Sequence, residues 1–216
     1  MSIQSIINTA TFLTVDKKKV ADQAVSRSGR VKTAEVANAV PYRFIVGVSS
    51  GYKYSDNRAN LEELDRLDVT VEEEVNIGAS NAGLAYITAY QGGITGGNLT
   101  LVIASALTIT VNAANVTGSD TLFKKGDYIQ PVGNTGAYRY PYQVTADVPF
   151  TTSSSVNIPV HRPVIHQDGV SLSSGVINKG TDVRWHVKMS NKPTYTILPH
   201  DRVQLDKDLQ LVEIIQ

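Results

Sequence analysis

The chain has 216 residues, with 20 lysine and arginine side chains balanced by 20 acidic ones, and it contains no cysteine. Balanced charge gives no electrostatic attraction toward nucleic acid, and the lack of cysteine excludes disulfides, thiolate nucleophiles and cysteine-ligated metals. No apolar run approaches the ~20 residues that span a bilayer, so we expect no membrane insertion.

Alternating apolar and polar residues predict antiparallel strands in the first part of the chain. A period of two places one face of each strand in a core and the other in water. The predicted strands are Tyr42–Val48, 68–77 and Leu84–Tyr90. Parallel strands, buried on both faces, would instead be apolar throughout.

One amphipathic helix is predicted at residues 57–67. Leu61, Leu64 and Leu67 recur at every third position among charged residues. Ser55 and Asp56 precede them and are residue types that cap helix N-termini. A second, shorter candidate helix lies at 2–9.

The middle of the chain differs in character. Gly92–Gly97 contains two double glycines and is interpreted as a flexible break. Short strands separated by turns then follow, and their spacing favours a small barrel or sandwich. These predicted strands are Leu99–Ile103, Leu107–Val111, Asp127–Gln130, Tyr138–Val144 and Val156–Val160.

Regular alternation resumes near the C-terminus, at Asp182–Met189 and Leu209–Ile215. Within the first of these, Trp185 belongs to the apolar face, and we expect it to be buried. The simplest arrangement is a mainly β protein with antiparallel sheets and one flanking α-helix. We predict a discontinuous two-sheet domain, 1–93 and 168–216, and an inserted small β-barrel domain at 94–167.

The residues form no catalytic constellation. His161 and His166 are five positions apart, so on one straight strand they would face opposite sides, which is poor geometry for a shared metal. His186 falls on the polar face of its strand, and no Gly-x-Ser-x-Gly motif is present. We therefore predict no enzymatic activity, no cofactor and no metal.

Tyrosines form one candidate contact set. Tyr138, Tyr140 and Tyr142 alternate along one predicted strand, with Tyr128 nearby. Either their rings pack into the barrel, or they form a surface for a sugar or a neighbouring subunit.

Acidic residues form the second set. Asp68, Glu72 and Glu74 share the polar face of the 68–77 strand. They are either an ordinary solvated face or the lining of a channel. Glu73 disturbs this pattern, because it places a charge on the apolar face.

Several stretches of the sequence resemble structural proteins of tailed-bacteriophage tails. They are Ser26–Thr33, Pro41–Phe44, Tyr54–Arg58 and Pro193–Pro199, together with Leu122–Pro131, which is similar to β-barrel modules of phage structural proteins. The resemblance is to tube-like proteins of the distal tail: distal tail proteins, tube initiators and baseplate hub subunits.

This resemblance implies a structural virion protein in the phage tail or baseplate. Each subunit would contain two packed sheets and a flanking helix, and six copies would form a ring around a channel. Partners would be other copies, other tail or baseplate proteins, and DNA that passes without sequence-specific binding. An acidic channel wall would keep the DNA backbone from adhering.

Three alternatives remain at this point. The tyrosine-rich insert could be a carbohydrate- or receptor-binding module of the tail tip. The protein could also be a head–tail connector or a capsid decoration protein. A cell-wall hydrolase is the least favoured, because no carboxylate or histidine pair converges in the sequence pattern.

Overall fold

A computed structural model describes most of the chain. The described residues are 3–17, 21–25, 31–35, 41–48, 53–66, 71–78, 83–105, 107–132, 140–165 and 175–215. The helices are α1 (Ile3–Asn8) and α2 (Tyr54–Arg66), and single 3-10 turns occupy Ala85–Ile87 and Gly180–Asp182. The strands are β1 (Ala10–Asp16), β2 (Ala21–Val25), β3 (Val31–Glu35), β4 (Arg43–Val48), β5 (Glu72–Val75), β6 (Ile94–Gly96), β7 (Thr100–Ser105), β8 (Thr108–Asn112), β9 (Thr117–Gly118), β10 (Thr121–Phe123), β11 (Tyr128–Val132), β12 (Tyr142–Gln143), β13 (Val148–Pro149), β14 (Val156–Pro159), β15 (Val176–Lys179), β16 (Trp185–Met189), β17 (Tyr195–Leu198), β18 (Arg202–Leu205) and β19 (Leu209–Glu213).

Two large antiparallel sheets organise the molecule. The first has five strands in the order β1-β4-β19-β16-β5, and the second has six in the order β12-β11-β15-β7-β8-β14. One of the sheets forms a half-barrel. Four two-stranded ladders complete the described structure: β2-β3, β6-β9, β10-β13 and β17-β18. The predicted mainly β, antiparallel class is confirmed.

The five-stranded sheet follows the predicted alternation closely. On β16 and the residues before it, the apolar positions Val183, Trp185, Val187 and Met189 are all buried. Trp185 is only 1% exposed and lies edge-on to Phe44, with ring centroids 5.6 Å apart. The prediction that Trp185 is buried is therefore confirmed, and this face of the sheet forms the first core.

Helix α2 covers the same core. Leu61 and Leu64 are buried, as their spacing predicts, while Leu67 lies outside the described residues. The helix begins at Tyr54, earlier than the predicted residue 57. The extra turn is stabilised by Asp201: its carboxylate Oδ1 accepts from the Ser55 N–H at 2.8 Å. Such a cap comes from a distant segment and cannot be seen in local sequence.

Helix α1 explains the acidic residue on the apolar face of β5. Ile3, Ile6 and Ile7 of α1 are buried in the first core. The carboxylate of Glu73 accepts the Ile3 N–H at 2.6 Å and the Gln4 N–H at 3.3 Å. Glu73 therefore satisfies backbone donors at the start of the helix that would otherwise lack partners.

The six-stranded sheet encloses a second core. Its buried residues include Ile109, Val111, Phe123, Ile129 and Ile158. β15 lies after residue 167 in the chain, yet it pairs with β11 and with β7. Strands from within and beyond the predicted 94–167 insert thus share one sheet.

The prediction of a strand at Leu84–Tyr90 is wrong. Within it, Ala85–Ile87 forms a 3-10 turn. The Tyr90 hydroxyl then accepts the Ile94 N–H at 3.1 Å, fixing the chain where it enters the second sheet. The tertiary contact of Tyr90 therefore outweighs the local alternation of apolar and polar residues that favoured a strand.

The double-glycine segment is not a loose break. Gly93 donates its N–H to the Thr121 carbonyl at 2.6 Å and accepts from the Ser119 N–H at 3.1 Å. A Cβ at Gly93 would lie 1.9 Å from the Ser119 carbonyl oxygen. Glycine is therefore needed for close backbone packing, and β6 forms a ladder with β9.

Candidate assembly interface

One face of the five-stranded sheet carries solvent-exposed side chains, among them Arg43, Lys188 and Glu72. Because the other face packs in the first core, alternation along each strand directs a second set of side chains away from it. Across the strands, Asp16 lies opposite Arg43, Arg43 opposite Val212, and Val212 opposite Lys188. Glu72 completes this row opposite Lys188. The open face is thus polar, with charges of both signs.

The predicted acidic strand lies on this face, but cations accompany it. Glu72 lies opposite Lys188 on β16, and Glu74 Oε2 is 4.0 Å from Arg184 Nη1. Asp68 lies outside the described residues. Within the described part of the sheet, the acids of β5 are therefore locally balanced rather than stacked as a purely negative stripe.

A concavity of about 530 Å³ occupies the open face over β4 and β19. Ile45 and Val212 contribute apolar side chains, while Arg43, Ser190 and Gln210 contribute polar ones. This size lies within the roughly 300–1,000 Å³ of clefts that admit a ligand or an inserted segment.

The two edges of the sheet differ. β5 is covered at its end by α1, where Gln4 Nε2 donates to the Asn76 carbonyl at 2.8 Å and Gln4 Oε1 accepts the Asn76 N–H at 2.6 Å. The Gln4 side chain thus forms with Asn76 the pair of hydrogen bonds that a neighbouring strand would form. β1 pairs with β4, and no other described strand pairs with its second edge.

β1 carries an exposed aromatic side chain. Phe12 on β1 is 47% exposed. Its ring lies over Gly47, where a Cβ would come within 1.9 Å of it. Glycine at this position lets the ring lie flat along the strand pair while one ring surface faces solvent.

Three of the four candidate tyrosines are interior residues. Tyr128 packs in the first core, with its ring 5.5 Å from Trp185. Tyr140 and Tyr142 are buried in the second core. Burial raises the pKa of Tyr142 to about 12, and its hydroxyl accepts the Ile165 N–H at 2.9 Å. Tyr138 lies outside the described residues. The three described rings stabilise the cores and present no surface to a sugar.

Sequence reasoning missed the junction between the sheets. Arg162 and Glu213 form a buried, bidentate ion pair, with Nη1–Oε2 at 2.6 Å and Nη2–Oε1 at 2.7 Å. The guanidinium carbon lies 4.9 Å from the Tyr42 ring centroid and 5.4 Å from that of Tyr142. The partners are 51 residues apart, so no local pattern identifies them.

The described histidines do not group into a metal site. His161 Nδ1 accepts the Gln143 N–H at 3.0 Å. Burial, reinforced by the charges of Arg162 and Lys17, lowers the pKa of His161 to about 3, so it is neutral near pH 7. His166 lies outside the described residues. In the part of the chain that the structure describes, no three His, Asp or Glu side chains group as metal ligands.

Comparison with known proteins adds no family. No protein-family model matches the chain, and no curated protein matches it. Across the described ranges, no helix has the length and apolarity to cross a membrane.

Proposed function

We propose that this protein is a structural virion subunit that assembles with copies of itself into a ring of a bacteriophage tail or baseplate. The observation that carries the proposal is that, among the described strands, β1 pairs only with β4 and lies beside a solvent-exposed sheet face. Long edge strands expose backbone donors and acceptors, and soluble proteins usually cover or interrupt them. β1 is seven residues long, and Phe12 and Thr14 in its middle are exposed, so we propose that a second chain pairs along the middle of this strand.

The two sheet edges are different surfaces, which supports a ring rather than a simple dimer. A contact between one subunit's β1 edge and the next subunit's β5 and α1 edge is heterologous. Heterologous contacts repeat around a circle and close into a ring when the rotation permits. Six copies is the number that the sequence resemblance implies.

The charge pattern of the open face suits a conduit. DNA binds strongly where cations neutralise several phosphates. On this face Glu72 lies opposite Lys188 and Glu74 lies near Arg184, so cations are not in excess. A channel lined by the open face would let DNA pass with little adhesion. We therefore propose a channel wall of balanced charge in place of the purely acidic wall that the sequence of β5 alone suggested.

Edge variants test the assembly. Phe12→Lys with Thr14→Lys places charge along β1, the device that natural edge strands use against pairing. The wild-type protein should sediment as a ring-sized oligomer and show rings by negative-stain electron microscopy, and the double variant should be monomeric. Thr152→Lys with Ser154→Lys, on an exposed loop, is the matched control and should assemble normally.

Two results would overturn the proposal. One is wild-type protein that remains monomeric at every concentration studied. The other is a β1 variant that assembles as well as its control. Immunogold labelling of virions tests the location separately: label at the tail end supports a tail or baseplate position, and label at the head or neck supports a decoration or connector protein instead.

A further inference from the structure

A lysine at the end of β1 reaches the six-stranded sheet. Lys17 directly follows β1, which is an edge strand of the five-stranded sheet. Its Nζ donates a hydrogen bond to Oε1 of Gln143, a residue of β12 in the six-stranded sheet. The two residues are 126 positions apart in the chain, so this contact joins the two sheets through side chains that no local pattern would bring together.

The side-chain amide of Gln143 is held at both of its polar ends. Nε2 donates to the Gly126 carbonyl at 3.1 Å, while Oε1 accepts from Lys17. The backbone of Gln143 is fixed as well, because its N–H donates to His161 Nδ1 at 3.0 Å and it pairs with Tyr128 in the ladder of β11 and β12. The amide carbon, Cδ, is therefore held one bond away from the oxygen that binds the Lys17 amine.

The surroundings of Lys17 favour the neutral form of its amine. The side chain is half-buried, and Nζ lies 5.9 Å from the centroid of the Tyr128 ring. Burial lowers the pKa of Lys17, and the imidazole of His161 close by is neutral near pH 7. A neutral amine has the lone pair that makes lysine a nucleophile, so Lys17 is better prepared for attack than a lysine in water.

We propose that Lys17 and Gln143 are the two partners of an intramolecular isopeptide bond that forms in the folded protein. The lone pair of Nζ attacks Cδ of Gln143, so that the Nζ–Cδ bond forms while the carbonyl electron pair moves to Oε1. The carbonyl then re-forms as the Cδ–Nε2 bond breaks. Nε2 takes up the proton that Nζ loses and leaves as ammonia, so the atoms balance with no oxidant and no other reactant.

Two features of the fold promote a reaction that is slow between free amines and amides. The hydrogen bonds keep the amine beside the amide, and well-oriented groups react as if present at an effective concentration of about 10⁵–10⁸ M. The Gly126 carbonyl accepts an N–H of Nε2, and this bond strengthens as that nitrogen gains a proton and departs. The fold thus positions both the nucleophile and the leaving group.

The product is a covalent tie between the two sheets. It closes a loop that runs from residue 17 to residue 143, and a crosslink between distant positions restricts the unfolded chain and makes unfolding harder. The bond uses neither the middle of β1 nor the exposed face of the five-stranded sheet. It therefore goes beyond the proposed function and does not depend on it.

Intact-mass spectrometry of the purified full chain tests the proposal. During incubation of the folded protein in mildly alkaline buffer, we expect a species to accumulate that is lighter by the mass of one ammonia molecule. Proteolytic mapping should find the peptide that contains Lys17 joined to the peptide that contains Gln143. The product should also migrate faster on denaturing gels, and because the chain contains no cysteine, a disulfide cannot cause that shift.

Variants identify the reacting groups. Lys17→Arg keeps a donor for Oε1 but has no amine that can attack, and Gln143→Met removes the amide, so neither protein should form the lighter species. Lys188→Arg is the matched control, because Lys188 is an exposed lysine of the five-stranded sheet, and its product should form as in wild type. Wild-type protein kept in denaturant should lose no ammonia at this position, because the two side chains are then far apart.

Three results would overturn the proposal. The first is wild-type protein that keeps its full mass after prolonged incubation, a measurement that does not depend on whether any variant folds. The second is equal loss of ammonia from Lys17→Arg, which would place the reaction at another residue. The third is a crosslinked peptide that joins Gln143 to a lysine other than Lys17.

Discussion

Replacing Arg162 by methionine should strongly destabilise the junction of the two sheets. The change removes two bonds to the Glu213 carboxylate and one from Nη2 to the Pro141 carbonyl at 2.9 Å. Glu213 is 3% exposed, so it would be left as a buried charge without its cation. Breaking one side of a buried ion pair in this way costs about 3–5 kcal/mol.

Denaturant unfolding of matched variants measures this effect. Arg58→Met is the control, because Arg58 and Glu62 form an exposed pair one helical turn apart on α2, and its loss should have no measurable effect. Glu213→Gln keeps an oxygen that can accept the Tyr42 N–H, which Glu213 Oε2 binds at 2.9 Å. The double variant Arg162→Met, Glu213→Gln should cost less than the sum of the single changes.

The expected coupling between the two changes is about 0.5–3 kcal/mol, as for residues in direct contact. Additive single effects would show that the pair is not a coupled unit. A free energy of unfolding for Arg162→Met within about 0.5 kcal/mol of wild type would refute the reasoning, because surface changes already span that range.

Three further changes test separate features of the fold. Trp185→Ala should lower the free energy of unfolding by about 3–5 kcal/mol in denaturant titrations, as expected for a large buried aromatic residue, and a loss below about 1 kcal/mol would contradict its role in the first core. Gly93→Ala should lower the midpoint of thermal unfolding, because the new Cβ would clash with the Ser119 carbonyl oxygen. An unchanged midpoint would show that the backbone at Ser119 can move away from the new side chain. Burial lowers the pKa of His161 to about 3, whereas a histidine in the unfolded chain has a pKa of about 6.5. Between these two pH values the unfolded chain therefore binds more protons than the folded protein. The stability of the wild-type protein should thus fall as the pH drops from about 6.5 to about 3, by at most about 1.4 kcal/mol per pH unit. His161→Asn keeps an acceptor for the Gln143 N–H without titrating, so its stability should fall less over the same window; equal losses in the two proteins would contradict the assignment.

Sequence patterns predicted the class of this protein and some of its regular elements. Alternation around Trp185 predicted which side chains of β16 enter a core, because a strand has only two faces and burial must select one of them. Leucine spacing placed α2 to within three residues at its start. Both signals are local periodicities, and both agree with the structure because the protein buries the strand face and the helix face that they identify.

Tertiary structure alone decided the features that a periodic pattern cannot encode. Glu73 looked like an error on an apolar face until α1 supplied its two N–H donors. The glycines near Gly93 looked flexible, yet a crossing backbone fills the space beside them. Two of the candidate tyrosines, Tyr128 and Tyr142, pack in different cores although the sequence grouped them.

The candidate interface shows the same division. Alternation identified Glu72 and Glu74 as solvent-facing, but their cationic neighbours come from a strand more than a hundred positions later in the chain. The concavity arises because β4 and β19 are neighbours in the sheet. Charge balance, concavity and edge exposure depend on which strands become neighbours, and that is settled by packing of the whole chain rather than by any single segment.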